Sequence, residues 1–357
     1  MQIEYITFKT KNNKQLGVKK KVETQVRALT KLGVKTILKE YDFVSRVKRL
    51  LPFQTSSIDW NSIKLDEHTE GVYIRYLLSD FKFLNFLKRL KSERKIKIVV
   101  EIPTWPYDKE KMFPLLRLRD IIYRKYICQY IDYVTYIGDG ELDWDVPSIK
   151  IINGIDFSQI QINEYIGVKD EINMIAVANL ADWHGYDRML NGLGKYYENG
   201  GERKIHFYIV GDGQVVKDYE KIIQRYNLQE KVTLCGTLFG DELDKVYRQC
   251  NIAVECLGIH RKKIFLSSSL KSREYAAKGL PMITSTSIDV FNENEYPYIF
   301  KCKEDETDID ICQIIEFFDT VYNNKQDKNI IREIREYAEK VCDISQTMKP
   351  IVEYFKK

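Results

Sequence analysis

Residues 266–285 read Leu266-Ser-Ser-Ser-Leu270-Lys-Ser-Arg-Glu274-Tyr-Ala-Ala-Lys278-Gly-Leu-Pro281-Met-Ile-Thr-Ser285. The stretch predicts a loop, a short helix over about Leu270–Lys278, a tight turn at Gly279-Leu280-Pro281 and a buried strand at Met282-Ile283-Thr284. Small residues ahead of a helix let a ligand approach the backbone, and the unpaired N–H groups of the first turn favour an anion there. Lys271 and Arg273 add positive charge to the same turn. Glu274, one turn in, places a carboxylate beside anything lying across the helix start.

Working outward, strand-like and helix-like runs alternate on both sides. Ahead of the stretch, Asn173–Ala178 predicts a strand, Arg188–Tyr197 a helix, and Ile205–Val210 a strand that runs into Gly211-Asp212-Gly213. Helix, strand, helix and strand follow at Val216–Arg225, Val232–Cys235, Glu242–Gln249 and Ile252–Cys256. Behind it, Asp310–Phe318, Ile330–Val341 and Asp343–Phe355 predict closing helices, the last interrupted at Pro350. Upstream, strands at Met1–Phe8, Lys35–Tyr41, Val72–Leu78, Ile96–Ile102 and Tyr133–Ile137 alternate with helices at Val18–Leu32, Phe81–Leu90 and Leu116–Tyr130. A polar loop is expected at Lys9–Gly17, and a linker from Asn153-Gly154 to about Asp170. This pattern implies parallel sheets covered on both faces.

Length requires more than one core: 357 residues suit two α/β domains. The expected fold class is α/β, two tandem Rossmann-like doubly wound domains facing a cleft. Residues 1–160 form the first domain and 161–340 the second, and residues 341–357 form a helix packing back toward the first. No run of about eighteen apolar residues occurs, and Met1–Lys14 lacks the apolar core of a secretion signal. The seven cysteines show no Cys-x-x-Cys pair, as expected of reduced thiols in a cytoplasm.

The net charge of +4 is unevenly divided. Residues 1–150 carry 29 Lys and Arg against 19 Asp and Glu, or +10, and the remainder carries 27 against 33, or −6. A basic first half fits a polyanion or an anionic membrane surface. Nucleic acid is not expected, because no binding motif or basic–aromatic interleaving occurs. In this half the loops beyond the strands offer Gly17 with Lys19, Lys20 and Lys21 as an anion perch, then Arg75, then Trp105 and Tyr107 as flat faces for stacking on a sugar. The Phe81–Leu90 helix, ending in Lys88, Arg89 and Lys91, reads as packing its apolar stripe on the sheet rather than lying on a membrane.

The ordered set Asn153-Gly154-Ile155-Asp156, Gly211-Asp212-Gly213, Val232–Gly236 and Leu270–Tyr275 with Gly279-Leu280-Pro281 resembles bacterial group-one glycosyltransferases. These are the retaining family-four class with a GT-B fold. Gly17-Val18 and Leu32-Gly33 fit the acceptor-side loop and helix of such enzymes. The resemblance implies that Glu274 holds the ribose of a nucleotide diphosphate. It assigns Ser269, Leu270 and Lys271 to the diphosphate, and Gly211, Asp212 and Gly213 to the nucleotide-sugar pocket. Gly17, Lys20, Arg75, Trp105 and Tyr107 fall on the acceptor side. Two positions depart from the pattern. The family's first glutamate falls at Leu266, and its diphosphate-gripping Arg and Lys fall near Asn179 and His184. Arg261 and Lys262 are the expected substitutes for that lost charge, Arg261 being better suited to bidentate phosphate contact; His184 carries full charge only if its pKa is raised.

Other signals carry less. Gly211-x-Gly213-x-x-Val216 lacks the third glycine of a dinucleotide fingerprint. Asp143-Trp144-Asp145 imitates a metal-binding Asp-x-Asp but reads as solvated loop acids, and the four histidines lack zinc spacing. The expected activity is metal-independent, cofactor-free transfer of a sugar from a nucleotide-diphosphate donor to a glycan or lipid-linked acceptor. It would proceed with retention, in cell-surface polysaccharide or glycoconjugate synthesis, in the cytoplasm or peripherally at the inner membrane face. The rivals are a non-catalytic GT-B subunit that scaffolds a partner enzyme and a nucleotide-sugar epimerase.

Overall fold

The computed structural model describes residues 1–9, 16–44, 58–107, 113–138, 140–163, 171–292, 295–322 and 327–357. Most of the expected Lys9–Gly17 loop and the last seven residues of the expected linker lie outside the described residues. The chain forms two compact units. One comprises Met1–Ile155 with Ile344–Lys357, the other Asp156–Asp343. Each is a Rossmann-like domain built on a six-stranded parallel sheet.

The first unit alternates β1 (Gln2–Phe8), α1 (Leu16–Lys31), β2 (Lys35–Tyr41), β3 (Gly71–Arg75), α2 (Phe81–Glu93), β4 (Lys97–Trp105), α3 (Pro114–Ile127), β5 (Tyr133–Gly138) and β6 (Ser148–Lys150). Its strand order is β2-β1-β3-β4-β5-β6, so the winding reverses between β1 and β3. Period-two alternation divides the strands between two cores: Val72, Ile74, Ile98 and Val100 face one, and Ile3, Tyr5, Tyr73 and Val99 face the other. Asp80 caps α2 by accepting from the Phe83 amide, and Phe83, Leu84, Phe86, Leu87 and Leu90 are buried against the sheet. That helix packs, as its stripe implied.

The second unit alternates β7 (Glu171–Val177), α4 (Tyr186–Glu198), β8 (Lys204–Val210), α5 (Val216–Arg225), β9 (Val232–Gly236), α6 (Gly240–Tyr247) and β10 (Ile252–Val254). There follow β11 (Leu266–Ser267), α7 (Leu270–Lys278), β12 (Met282–Thr284), β13 (Ser287–Ile288), β14 (Ile299–Lys301), α8 (Ile311–Tyr322) and α9 (Asp327–Cys342). The order β14-β12-β10-β7-β8-β9 is doubly wound and reverses between β7 and β10; β11 and β13 pair separately. Ligands of such sheets bind beyond the carboxyl ends of the strands flanking the reversal. The residues after β7 and β10 therefore frame the site.

The last helix, α10 (Ile344–Lys356), belongs to the first unit. Its Ile344, Met348, Ile351, Val352 and Phe355 complete the core that holds Ile3, Tyr5, Val22 and Tyr73. Lys356 donates to the Leu32 carbonyl at 2.7 Å and Lys97 to the Phe355 carbonyl at 2.9 Å. Pro350 does not interrupt this helix. Buried side chains before and after it hold the backbone helical against the local cost of a missing N–H.

Candidate functional site

Beyond the end of β10 the chain places Glu255, whose carboxylate is wholly buried. Its Oε1 accepts from the Ser269 hydroxyl at 2.6 Å and lies 3.6 Å from the Lys271 ammonium, which also lies 3.3 Å from Cys256 Sγ. Burial alone would raise the Glu255 pKa. Lys271, the Ser269 hydroxyl and the Cys256 amide reverse that and hold the carboxyl below its usual value. Burial disfavours the Lys271 cation, yet Glu255 keeps its pKa well above the ordinary lysine value. At neutral pH the pair is charged.

Ser269 has a second task. It is the N-cap of α7, its Oγ accepting from the Ser272 amide. The Leu270 and Lys271 amides have no hydrogen-bond acceptor among the described residues. Two free N–H groups at a helix start, a cation beside them and a cap anchored by a buried acid form an anion-binding corner. Gly279, at φ 82°, ends the helix and lets the chain turn into β12. Glu274 is half-buried one turn in, and its side chain makes no hydrogen bond or ion pair among the described residues. It is thus open to a ligand.

The turn after β7 closes on this corner. The Leu257 amide donates to the His184 carbonyl at 2.7 Å, and a Cβ on Gly185 would stand 2.4 Å from the Gly258 nitrogen. His184 is buried, its Nδ1 3.0 Å from the Ala181 nitrogen. Burial and then the Lys271 cation push its pKa down to about 4. His184 is therefore neutral at physiological pH and is no replacement cation; it can only donate a neutral N–H. Tyr186, fully buried at the start of α4, has a hydroxyl with no hydrogen-bond partner among the described residues. Burial pushes the Cys256 thiol up to about 12, so it is no nucleophile.

Arg261 also differs from expectation. Its guanidinium donates to Asp187 at 2.8 Å, to Glu306 at 2.6 Å and to the Asp182 carbonyl at 2.6 Å, and the bonds to Glu306 and then Asp187 raise its pKa further. Two carboxylates already balance its charge, so it pins the 182–187 turn to the Glu306 segment instead of standing free for a phosphate. Lys262 lies exposed with its ammonium 3.3 Å above the Trp183 ring. Arg273 is fully buried and paired with Asp289, so it adds no usable charge to the helix start. Lys271 is also paired, with Glu255, but it is the basic side chain that stands in the first turn of α7 beside the two free amides.

Gly211 and Gly213 are where close approach demands glycine. A Cβ on either would come within 1.8 Å of a carbonyl oxygen, that of Ala178 or of Leu180. These glycines join the loops after β7 and β8, and Asp212 between them is exposed. Leu266 is 38% exposed in β11. Asp143 and Asp145 are exposed around the buried Trp144.

The acceptor-side residues of the first unit do not form one surface. Gly17 and Lys20 are exposed in the opening turns of α1. Arg75 is buried and donates to Glu101 at 2.9 Å; that wholly buried carboxylate also accepts from Tyr73 and Gln25 and lies 3.5 Å from the Lys21 ammonium. Trp105 and Tyr107 are not open stacking faces. Both are buried, Trp105 against Tyr107 and Tyr107 against Tyr76, which also packs on Trp144; the Trp105 indole donates to the Glu141 carbonyl and the Tyr107 hydroxyl to Asp120. The strand-end aromatics do not reach solvent: α3 brings Asp120 onto the Tyr107 hydroxyl, and Trp105 packs edge-on against Tyr107.

Residues 171–309 match the family model described as Glycosyl transferases group 1, a span that takes in Glu255, the α7 corner and Glu306. Among solved structures, a glycosyltransferase from Rickettsia africae is 11% identical with a TM-score of 0.65, covering 99% of this chain and 97% of that one. Anabaena Alr3699/HepE in complex with UDP is 11% identical with a TM-score of 0.60, covering all of both chains. Sucrose-phosphate synthase from Thermosynechococcus elongatus is 13% identical with a TM-score of 0.62, covering 99% of each. No curated protein matches by sequence. The fold is GT-B, and the second unit carries the group 1 glycosyl transferase pattern.

Proposed function

We propose that this protein is a retaining glycosyltransferase that moves a hexosyl or related group from a nucleotide-diphosphate sugar to a glycan or lipid-linked acceptor. The observation that carries the reading is the α7 corner: free Leu270 and Lys271 amides, the Ser269 cap and the Lys271 cation held by Glu255, at the reversal of the second sheet. As the glycosyl bond breaks, negative charge grows on the leaving diphosphate, and preorganised N–H groups with one cation stabilise it. Glu274 takes the ribose hydroxyls. The departing diphosphate helps remove the acceptor proton in front-face attack, so no protein nucleophile is needed and no metal is required. The setting is cell-surface polysaccharide or glycoconjugate synthesis at the cytoplasmic face of a membrane.

The test is a thermal-shift series with UDP-, GDP-, dTDP- and ADP-sugars in EDTA, followed by NMR of the product anomer. Stabilisation by one donor and an unchanged anomeric configuration are expected. If no nucleotide diphosphate raises the melting temperature, the reading fails. One observation favours a second reading: Leu266, an exposed apolar side chain, stands where the resemblance places a sugar-binding carboxylate. A non-catalytic GT-B subunit would bind the nucleotide without turnover.

A further inference from the structure

The first sheet carries a buried polar row across neighbouring strands, on the face that α1 covers. Arg75 stands in register with Glu101 and Glu101 with Thr135, while Ile6 pairs with Ile74, which sets Thr7 level with Arg75. Each of these side chains is more than nine-tenths buried, so each needs a partner. Glu101 has several: it accepts from Arg75 and Gln25 and from the Tyr73 hydroxyl, which also meets Thr135. The Thr7 hydroxyl has none among the described residues. Arg75 reaches a carboxylate through Nη1, and no second acid meets its guanidinium among the described residues. From the second turn of α1 the Lys21 ammonium comes within 3.5 Å of Glu101, its side chain 10% exposed.

The charges of this cluster do not balance. Burial alone would raise the Glu101 pKa, but Lys21 and then Arg75 hold it below its usual value. Burial, then Glu101, pushes the Tyr5 and Tyr73 hydroxyls up, so both stay neutral. A single carboxylate therefore faces both cations, and burial pulls Lys21 down to about 8 against the attraction of Glu101. We propose that Thr7, Lys21 and Arg75 form an oxyanion seat that takes a phosphate or carboxylate group borne by the acceptor. A bound oxyanion gives the Thr7 hydroxyl its partner, offers the Arg75 fork a second anion and supplies the missing negative charge. The place suits a substrate, since Thr7 and Arg75 stand at the carboxyl ends of β1 and β3, which flank the reversal of this sheet. A purely structural ion cluster would balance its charges and leave no buried hydroxyl idle. The acceptor role rests on the proposed transfer reaction; oxyanion binding is tested without it.

The experiment titrates the full chain with inorganic phosphate, glucuronate and glucose, reading melting temperature and heat of binding, beside Lys21→Met and Thr7→Val. Phosphate or glucuronate should bind at least about tenfold more tightly than glucose, and whichever does so names the oxyanion. Lys21→Met should weaken that binding about tenfold, and Thr7→Val, which keeps the shape and removes the hydroxyl, about fivefold. Without ligand both variants should melt at or above wild type, because one removes the excess charge and the other the idle hydroxyl. If neither anion raises the melting temperature of wild type, the proposal is overturned. It is overturned equally if both variants bind the anion as wild type does, which would place it elsewhere, at the α7 corner. Nucleotide-sugar stabilisation is read on the same samples, and its absence from wild type counts against the donor reading alone.

Discussion

The Lys271 ammonium lies 3.6 Å from the buried Glu255 carboxylate, although fifteen residues lie between them in the chain. The contact spans from the end of β10 to the first turn of α7, and with the Ser269 bond it fixes the helix start. Replacing Glu255 with Ala would leave a half-buried cation without its counter-charge and a cap without its anchor. Stability should fall by about 3 kcal/mol, read by urea denaturation. An unchanged midpoint would show that the pair does not support the corner.

Glu274 and Arg261 should behave oppositely. Glu274→Ala removes a side chain with no hydrogen-bond or ion-pair partner among the described residues, so the melting temperature should hold while nucleotide-diphosphate affinity falls about tenfold by calorimetry. Arg261→Ala removes the link between Asp187 and Glu306. It should cost about 1 kcal/mol of stability and leave nucleotide affinity within about twofold. Affinity lost with Arg261 and kept without Glu274 would reverse the assignment.

Acid should expose His184. Its pKa is lowered in the fold to about 4 against the ordinary 6.5, so the unfolded chain binds the extra proton first. The stability this neutral ring allows is fully present above about pH 6.5 and is lost as pH falls toward 4. His184→Asn should flatten the decline in melting temperature over that window relative to wild type. Parallel curves would mean that the ring is not buried neutral.

A methyl group at position 213 would collide with the Leu180 carbonyl. Gly213→Ala should therefore destabilise by about 2 kcal/mol or more and separate the loops after β7 and β8. Its melting temperature, measured without ligand, decides whether this glycine serves the backbone first.

The α7 corner was legible because its signals are local. A serine cap, a helical nonamer and Gly279-Leu280-Pro281 are adjacent in the chain. Glu255 was missed because it ends an apolar run that reads simply as a strand, and its partners arrive only through the crossover. An acid terminating such a run just ahead of a Ser-Lys helix start is the signal that could have found it. Arg261 and Arg273 read as free cations for the same reason: Asp187, Glu306 and Asp289 reach them by tertiary folding. Trp105 and Tyr107 read as open because no local pattern shows that Asp120 will hold the Tyr107 hydroxyl or that Trp105 will pack on Tyr107. Periodicity located α3 within a few residues, but only packing reveals which of its faces stays uncovered.

Because α10 seats its apolar side chains on Tyr5, Val22 and Tyr73, the second unit is topologically an insertion in the first. A ribosome delivers residues 1–155 long before the helix that seals them, so the nascent fragment must wait with one flank of its sheet open. Residues 1–155 made alone should bind a hydrophobic dye, and an added peptide of residues 344–357 should displace it. The unit that begins first is finished last.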